Sequence, residues 1–369
     1  HKIENKTIII DEAHNLRNPD EIDDENVDVN LKKDLYNSFL DSIKKGKNNK
    51  LILMTGTPMY NQPDEIIDIL NLLLLNDNKD IIKSKKINYE KIAEVSQKYI
   101  SYINNSNPFI YGLRLKPKDA INEDWINSKE GIIKVELSKL QYEYFDNKDD
   151  KTNYKGFADF GPSNIVYNNK KENNNIYSLF NKENNKYNYI DKNKPTLYPD
   201  KNNLGYYAPK ILKICEYVKK SNGIIVIYSR LVPYGILPLA LALEHMGYDR
   251  YTGDDNKNNN LLSYDNINKN NFNYTILTSE NTYINNIGSF EKKINLINSK
   301  ENINGNKIKV ILITKKASEG LSFLNVREIH ILDPWYHYNR FEQIIGRGIR
   351  RCSHINLPLN KRNIIIYIY

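Results

Sequence analysis

Cysteine is almost missing from this chain. Two of its 369 residues, Cys215 and Cys352, cannot build a disulfide framework. A disulfide-held scaffold is thereby excluded, and a reducing compartment is expected. Histidine is sparse as well, with six residues at no metal-ligand spacing. Cys352 and His354 sit close together, but no second pair completes a zinc site. Long apolar runs are missing too. None reaches the roughly 18 residues of a membrane span, and the longest, around Ile66 to Leu75, is broken by Asp68 and Asn71. There is no signal-peptide pattern, and no membrane partner is expected. The chain opens on His1 rather than Met, and Ile364 to Tyr369 is strand-like to the last residue. A stretch of a longer polypeptide is the expectation.

Against these absences, hydrophobic residues make up 40% and charged residues 27%, the balance of a soluble globular protein. The length suffices for two or three domains. A formal charge of +8 and a pI of about 9.0 suit a polyanion partner. The chain is also crowded with Asn, Lys, Ile and Tyr, whose codons are AT-rich. Genome composition yields the same basic excess, so charge alone decides nothing.

Two strand-like runs end on polar motifs: Lys6 to Ile10 before Asp11-Glu12-Ala13-His14, and Leu51 to Met54 before Thr55-Gly56-Thr57-Pro58. Buried parallel strands read this way. Leu31, Leu35, Phe39, Leu40 and Ile43 between them recur at helical spacing, giving a βαβ unit. Pro63-Asp64-Glu65 opens a further helix, with proline early and acids in the first turn. From about Ile81 to Tyr206 the pattern weakens, and the Asn-Lys-Tyr stretch Asn168 to Asn188 reads as flexible loop or insertion. From Tyr207 onward strands and helices alternate again. Strand ends fall at Ser229-Arg230, Thr314-Lys315 and Asp333-Pro334-Trp335, and Arg340 to Cys352 reads as a helix. A mostly parallel sheet with helices on both faces is expected.

Three strings carry chemistry. A carboxylate closing a buried apolar strand, as Asp11 and Glu12 do, is costly unless it is paired or holds a cation. In ATP-hydrolysing motors such an Asp holds Mg²⁺, and the adjacent acid takes a proton from the attacking water. A plain strand end or helix cap is the alternative. Thr55-Gly56-Thr57-Pro58 offers two hydroxyls and a residue suited to a tight turn, and is equally an ordinary strand-to-helix turn. In Gln343-Ile344-Ile345-Gly346-Arg347-Gly348-Ile349-Arg350, two arginines three apart share a helix face and suit triphosphate oxygens. A solvated basic helix is the alternative, but two glycines there would cost about 1 kcal/mol each. Ser229, Arg230, Thr314, Lys315 and Ser318 could line a phosphodiester track, or sit in surface loops. Trp335 and Tyr336 could stack on bases, though such aromatics more often fill cores.

In this order and spacing the strings resemble the motifs of helicase superfamily 2. Asp11 to His14 is similar to motif II, Thr55 to Pro58 to motif III, Ser229-Arg230 to motif IV, Ala317 to Ser322 to motif V, and Gln343 to Arg350 to motif VI. Thr-Gly-Thr-Pro followed by Asn61 resembles the Swi/Snf-related DNA translocases rather than RNA helicases. The run Val326 to Pro358, with Asp11 to Arg17, Asn107-Pro108-Phe109 and Ile227 to Arg230, resembles the ATPases of large cytoplasmic DNA viruses, the poxvirus-type nucleoside triphosphatases and early-transcription-factor ATPases.

The resemblance implies two RecA-like lobes, α/β with parallel sheets, binding ATP and Mg²⁺ and acting on nucleic acid, DNA before RNA. It implies that Asp11 and Glu12 hold Mg²⁺ and activate water, and that Gln343, Arg347 and Arg350 act on the phosphates. His14, Thr55, Gly56, Thr57, Gly320 and Gly346 would contact nucleotide. Ser229, Arg230, Thr314, Lys315 and Ser318 would contact nucleic acid. Residues 1–83 would belong to an incomplete first lobe, 84–206 to a low-complexity insertion, and 207–369 to the second lobe. Viral RNA polymerase or transcription factors would be partners, in the host cytoplasm or the virion. Two departures stand out. Ser322 replaces the Asp that often ends motif V. The phosphate-binding loop Gly-x-x-x-x-Gly-Lys-Ser/Thr is absent: Gly46-Lys47 has no upstream glycine and no following hydroxyl. This chain alone is therefore expected not to hydrolyse ATP. A non-catalytic nucleic-acid-binding module and an RNA helicase remain as alternatives.

Overall fold

The computed structural model describes residues 3–16, 29–56, 58, 65–82, 89–102, 109–121, 131–146, 160–168, 174–253, 259–263, 269–285, 288–314, 320–334 and 338–369. The chain divides into two compact units, residues 1–104 with 335–343, and residues 105–334 with 344–369.

In the first unit, β1 (Thr7–Ile10) and β2 (Lys50–Leu53) pair in parallel, with Ile10 opposite Leu53. The crossover between them contains α1 (Val29–Lys45), as the helical spacing predicts. Leu51 and Leu53 pack with Tyr36 and Ile43 of α1 and with Leu72 of α2 (Glu65–Asn76). The other side of α2 puts Ile67, Leu70 and Leu74 against Ile82, Ile92 and Val95, the last two on α3 (Tyr89–Tyr99). Asn71, which breaks the apolar run, has a structural task. Its side chain accepts the Ile82 amide at 2.8 Å and donates to the Ile82 carbonyl at 3.4 Å.

The second unit is built on one eight-stranded sheet. In chain order its elements are β3 (Leu113–Leu115), β4 (Gly131–Ile132), α4 (Lys139–Asp146), α5 (Phe160–Asn164), a hairpin of β5 (Phe180–Glu183) and β6 (Lys186–Tyr189), α6 (Leu204–Tyr207), α7 (Pro209–Lys220), β7 (Ile224–Tyr228), α8 (Leu237–His245), β8 (Asp249–Arg250), β9 (Asn273–Leu277), α9 (Phe290–Ile297), β10 (Ile308–Ile313), β11 (Val326–Ile331), the part from Ile344 of α10 (Tyr338–Gly348), and β12 (Asn363–Ile368). The sheet order is β3-β12-β11-β7-β10-β9-β8, with β4 also on β12, and every pairing is parallel. The fold is α/β, as expected. Central strands β7 and β10 are buried along their whole length and, apart from Lys309, apolar, since helices cover both faces of such a sheet. Helix α8 is buried all round, and its sequence Leu-Pro-Leu-Ala-Leu-Ala-Leu is apolar all round to match. All the strands run the same way, so their carboxyl ends gather at one edge. Ser229, Thr278, Thr314 and Asp333 lie there.

The expectation of loop for Asn168 to Asn188 fails over the described part. Residues 180–189 form the β5–β6 hairpin, and Phe180, Tyr187 and Tyr189 are buried in the core of the second unit. Ile165, Val166, Tyr167, Leu197 and Leu204 join the same core. Much of the stretch assigned to an insertion is thus part of a packed α/β unit. Among the described residues, no helix is long and apolar enough to cross a membrane.

Candidate functional site

In the first unit the two polar motifs meet because their strands are neighbours in register. The amide of Met54 donates to the Ile10 carbonyl at 2.8 Å, and the amide of Ala13 donates to the Met54 carbonyl at 2.9 Å. Ala13 is fully buried, which anchors the turn. Glu12 pivots out of the strand with φ of 50°, in the left-handed region that a residue with a Cβ enters at a cost. Strain of this kind, on the order of 1–3 kcal/mol, gathers at functional sites. Asp11 and Glu12 are both exposed. One Asp11 oxygen accepts the Glu12 amide at 2.9 Å, which leaves the other oxygen for a cation. The nearly buried His14 places Nδ1 2.9 Å from Thr55 Oγ1 and 3.3 Å from a Glu12 oxygen. Glu12, His14 and Thr55 therefore form one cluster.

Among the described residues, no group of three or more His, Cys, Asp or Glu could cage a metal. One or two carboxylates at a strand end instead fit Mg²⁺, which keeps several waters and shares phosphate oxygens. Gly56 lies at a bend. Its φ is not left-handed, and a Cβ there would meet nothing within 4 Å. Thr57 lies outside the described residues.

In the second unit the arginines depart from expectation. Helix α10 ends at Gly348, so Arg350 lies beyond it and does not share a helix face with Arg347. The chain turns away because the Arg350 amide donates to Ser353 Oγ at 3.0 Å instead of continuing the helix. Arg350 Nε then reaches back to the Gly346 carbonyl at 2.9 Å and satisfies a helix-end acceptor. Arg350 is exposed, whereas Arg347 is 8% exposed and donates to the Leu321 carbonyl at 3.3 Å. The Phe323 amide donates to the Arg347 carbonyl at 2.8 Å, so the segment before β11 and the end of α10 are held together through the backbone. Gln343, the last residue of α10 that belongs to the first unit, is half-buried. The glycines have separate reasons. A Cβ on Gly348 would stand 3.1–3.3 Å from Ile329, Ile364 and Val326 of the sheet, but one on Gly346 would meet nothing within 4 Å. Gly320 also faces open space, and its φ of 78° calls for glycine.

At the sheet edge, Ser229 is fully buried and does not present its hydroxyl to a strand. It donates to Asp333 at 2.5 Å, and the other Asp333 oxygen accepts the Arg230 amide at 2.6 Å. Asn164 donates to the same acid at 3.4 Å. Burial raises the Asp333 pKa, opposed by the Ser229 and Arg230 bonds and by the charges of Lys210 and Arg230. Asp333 was the residue missed. It ends an apolar strand just as Asp11 does, which was the available signal. Gly235 belongs to this network, since a Cβ there would sit 2.0 Å from Ser229 Oγ. Arg230 is half-buried, and Thr314 is buried with its hydroxyl 3.2 Å from that of Thr278. Lys315, Ser318, Trp335 and Tyr336 lie outside the described residues.

Residues 1–189 of the 369 match the profile of the SNF2-related domain. The chain belongs to the SNF2-related family. A protein of Acanthamoeba polyphaga mimivirus named "Putative ATP-dependent RNA helicase R563" is 27% identical over 99% of this chain and 60% of its own length. The "Termination factor NPH-I homolog" of African swine fever virus is 27% identical, over 98% of this chain and 55% of its own length. This SNF2-related chain therefore spans little more than half the length of these relatives. Among solved structures, the SWI2/SNF2 ATPase core of Sulfolobus solfataricus in complex with dsDNA is 14% identical, covers 98% of this chain and 63% of that one, and has a TM-score of 0.29.

Proposed function

We propose that this chain carries the water-activating and arginine-bearing parts of a nucleic-acid-dependent ATPase motor. The observation that carries the reading is the cluster at the end of β1. Asp11 and Glu12 are exposed side by side, Glu12 is in a strained backbone conformation, and His14 bonds Thr55, just past the end of the neighbouring strand. Asp11 would hold Mg²⁺ with ATP. The ion supplies charge stabilisation to the phosphates when bound. Glu12, oriented beside His14, would take the proton of the attacking water. Arg350, exposed and with Nε tethered to the Gly346 carbonyl, would neutralise phosphate charge. Arg347, nearly buried against the Leu321 carbonyl, would couple that motif to the loop before Phe323.

DNA is the proposed track, with viral transcription or genome handling as the setting, in the host cytoplasm or virion. A viral polymerase or transcription factor would be the partner. The name of the African swine fever virus relative supports the transcriptional setting, and that of the mimivirus relative supports RNA as the competing track. The chain contains no Gly-x-x-x-x-Gly-Lys-Ser/Thr. We therefore infer that these 369 residues do not turn over ATP unaided. ATP hydrolysis is to be measured on the 369-residue chain and on the full polypeptide that carries it, with duplex DNA, RNA or neither. Stimulation by duplex DNA on the full polypeptide only is expected. Stimulation by RNA alone overturns the DNA assignment, and turnover by the 369-residue chain overturns the inference of inactivity.

A further inference from the structure

Ser353 and His354 stand three and four residues after Arg350, and the function proposed above gives them no task. Both are buried, with His354 at 1% exposure. The bonds around them have a single possible direction. The Val326 carbonyl 2.7 Å from His354 Nε2 can only accept, so Nε2 carries the proton. Nδ1 is then a lone pair, and Ser353 Oγ, 2.9 Å away, donates to it. With its own proton committed, Ser353 Oγ is the acceptor for the Arg350 amide at 3.0 Å. Burial holds the His354 pKa below its ordinary value, and the Arg327 and Arg362 cations push the same way against the Val326 bond.

The surrounding chain is closed around this relay. A Cβ on Gly112 would stand 2.9 Å from His354 Nδ1, so only glycine lets that segment lie against the ring. The Cys352 amide donates to the Ile110 carbonyl at 2.7 Å, and the Asn325 amide donates to the Ser353 carbonyl at 2.8 Å. Cys352 itself has φ of 63°, which turns the chain so that Ser353 can point back at Arg350. One exposed arginine thus rises from a backbone held by the buried Ser353, which His354 and Asn325 hold in turn.

We propose that His354 is a positioning residue for Arg350: through Ser353 it fixes the backbone from which the guanidinium is aimed at phosphate. The proposal rests on the reading of Arg350 as the arginine that neutralises phosphate charge. Two conservative variants separate positioning from packing. In His354→Asn the amide oxygen takes the place of Nδ1 and still accepts from Ser353. In His354→Gln the amide reaches the Val326 carbonyl but leaves Ser353 without its acceptor.

The test measures kcat and KM for ATP on the full polypeptide. It also follows the Arg350 Nε resonance, which reports the bond to Gly346, by NMR on the selectively labelled 369-residue chain. Ser353→Ala and His354→Gln are expected to lower kcat about 10- to 100-fold, with KM within about 2-fold, and to shift the Nε resonance. His354→Asn is expected to keep kcat within about 3-fold of the parent and to leave the resonance in place. Equal losses in the Asn and Gln variants, both folded by circular dichroism, overturn the proposal. If a His354 variant does not fold, Ser353→Ala, which removes one atom, decides alone: an unchanged kcat and resonance overturn it. Arg350→Ala tests the underlying reading separately. If that variant keeps full turnover, the phosphate role fails, and the Nε resonance alone then decides whether His354 positions Arg350.

Discussion

Adjacent residues on the buried helix α8 titrate in opposite directions, and this predicts a pH dependence that each conceals in the other. Glu244 accepts the Leu261 amide at 2.7 Å, the Leu262 amide at 2.6 Å and the Tyr274 hydroxyl at 2.5 Å. Burial outweighs these bonds and pushes its pKa up to about 7 from 4.5. His245 Nε2 lies 2.7 Å from the Tyr189 hydroxyl, which also accepts the Leu197 amide at 3.1 Å, so the hydroxyl proton goes to a neutral ring. Burial pushes the His245 pKa down to about 4 from 6.5. Each displacement corresponds to roughly 3 kcal/mol. The folded chain holds the Glu244 proton more tightly than the unfolded chain does. That contribution is full below about 4.5 and is lost as pH rises toward 7. It holds the His245 proton less tightly, so that contribution is present above 6.5 and is lost as pH falls toward 4.

The two slopes offset one another across most of the same window. Glu244→Gln adds a constant cost of about 1–3 kcal/mol for the Leu262 amide, which then faces an NH₂ group. The stability difference between Glu244→Gln and the parent should move by about 3 kcal/mol in favour of the variant from pH 4.5 to 7. The difference for His245→Asn should move by about 3 kcal/mol against the variant from pH 4 to 6.5. Denaturant-dependent amide exchange of Tyr274 to Leu277 in β9, corrected for intrinsic rates, reports the stability of this unit alone. Differences that stay flat with pH for both variants refute the reasoning.

Two glycine substitutions give further checks. Gly235→Ala forces a Cβ to 2.0 Å from Ser229 Oγ and displaces the Asp333 network, so the second unit should lose about 2–3 kcal/mol in denaturant titrations. Gly346→Ala meets nothing within 4 Å and should raise stability by up to about 1 kcal/mol, yet lower ATP turnover if that space belongs to nucleotide. A more stable variant with unchanged kcat removes Gly346 from the nucleotide contacts.

The strand ends were the most legible feature of the sequence. Apolar runs stopping at Asp11, Thr55, Ser229, Thr314 and Asp333 mark real strand termini. In the second unit those strands are largely buried between helices, whereas β1 and β2, expected to be buried, are half exposed, with Ile9 at 60%. What those residues do at the termini was less legible. By sequence Ser229 suits a phosphodiester track and a surface loop alike, but the Asp333 carboxylate, 104 residues away in sequence, claims its hydroxyl. Spacing along a helix placed Arg347 and Arg350 together, but Ser353 offers the Arg350 amide a competing acceptor and the helix stops. The Asn-Lys-Tyr stretch failed as a guide for a different reason. Its apolar residues are few and scattered, yet Ile176, Phe180 and Tyr187 fill the core, and the Tyr187 hydroxyl donates to the Tyr283 carbonyl at 2.7 Å. Asparagine acts there as a buried connector, with Asn174 accepting the Tyr167 amide at 2.8 Å. Composition alone cannot tell such a segment from a loop.

The central claim is that the acids at the end of β1 perform the hydrolytic step. Its most direct test is Glu12→Gln in the full polypeptide, assayed for DNA-stimulated ATP hydrolysis and, in parallel, for equilibrium binding of ATP with Mg²⁺. The account predicts that kcat falls at least about 100-fold while nucleotide affinity stays within about 3-fold, because a general base is lost and the binding groups remain. Turnover that survives the substitution would contradict it.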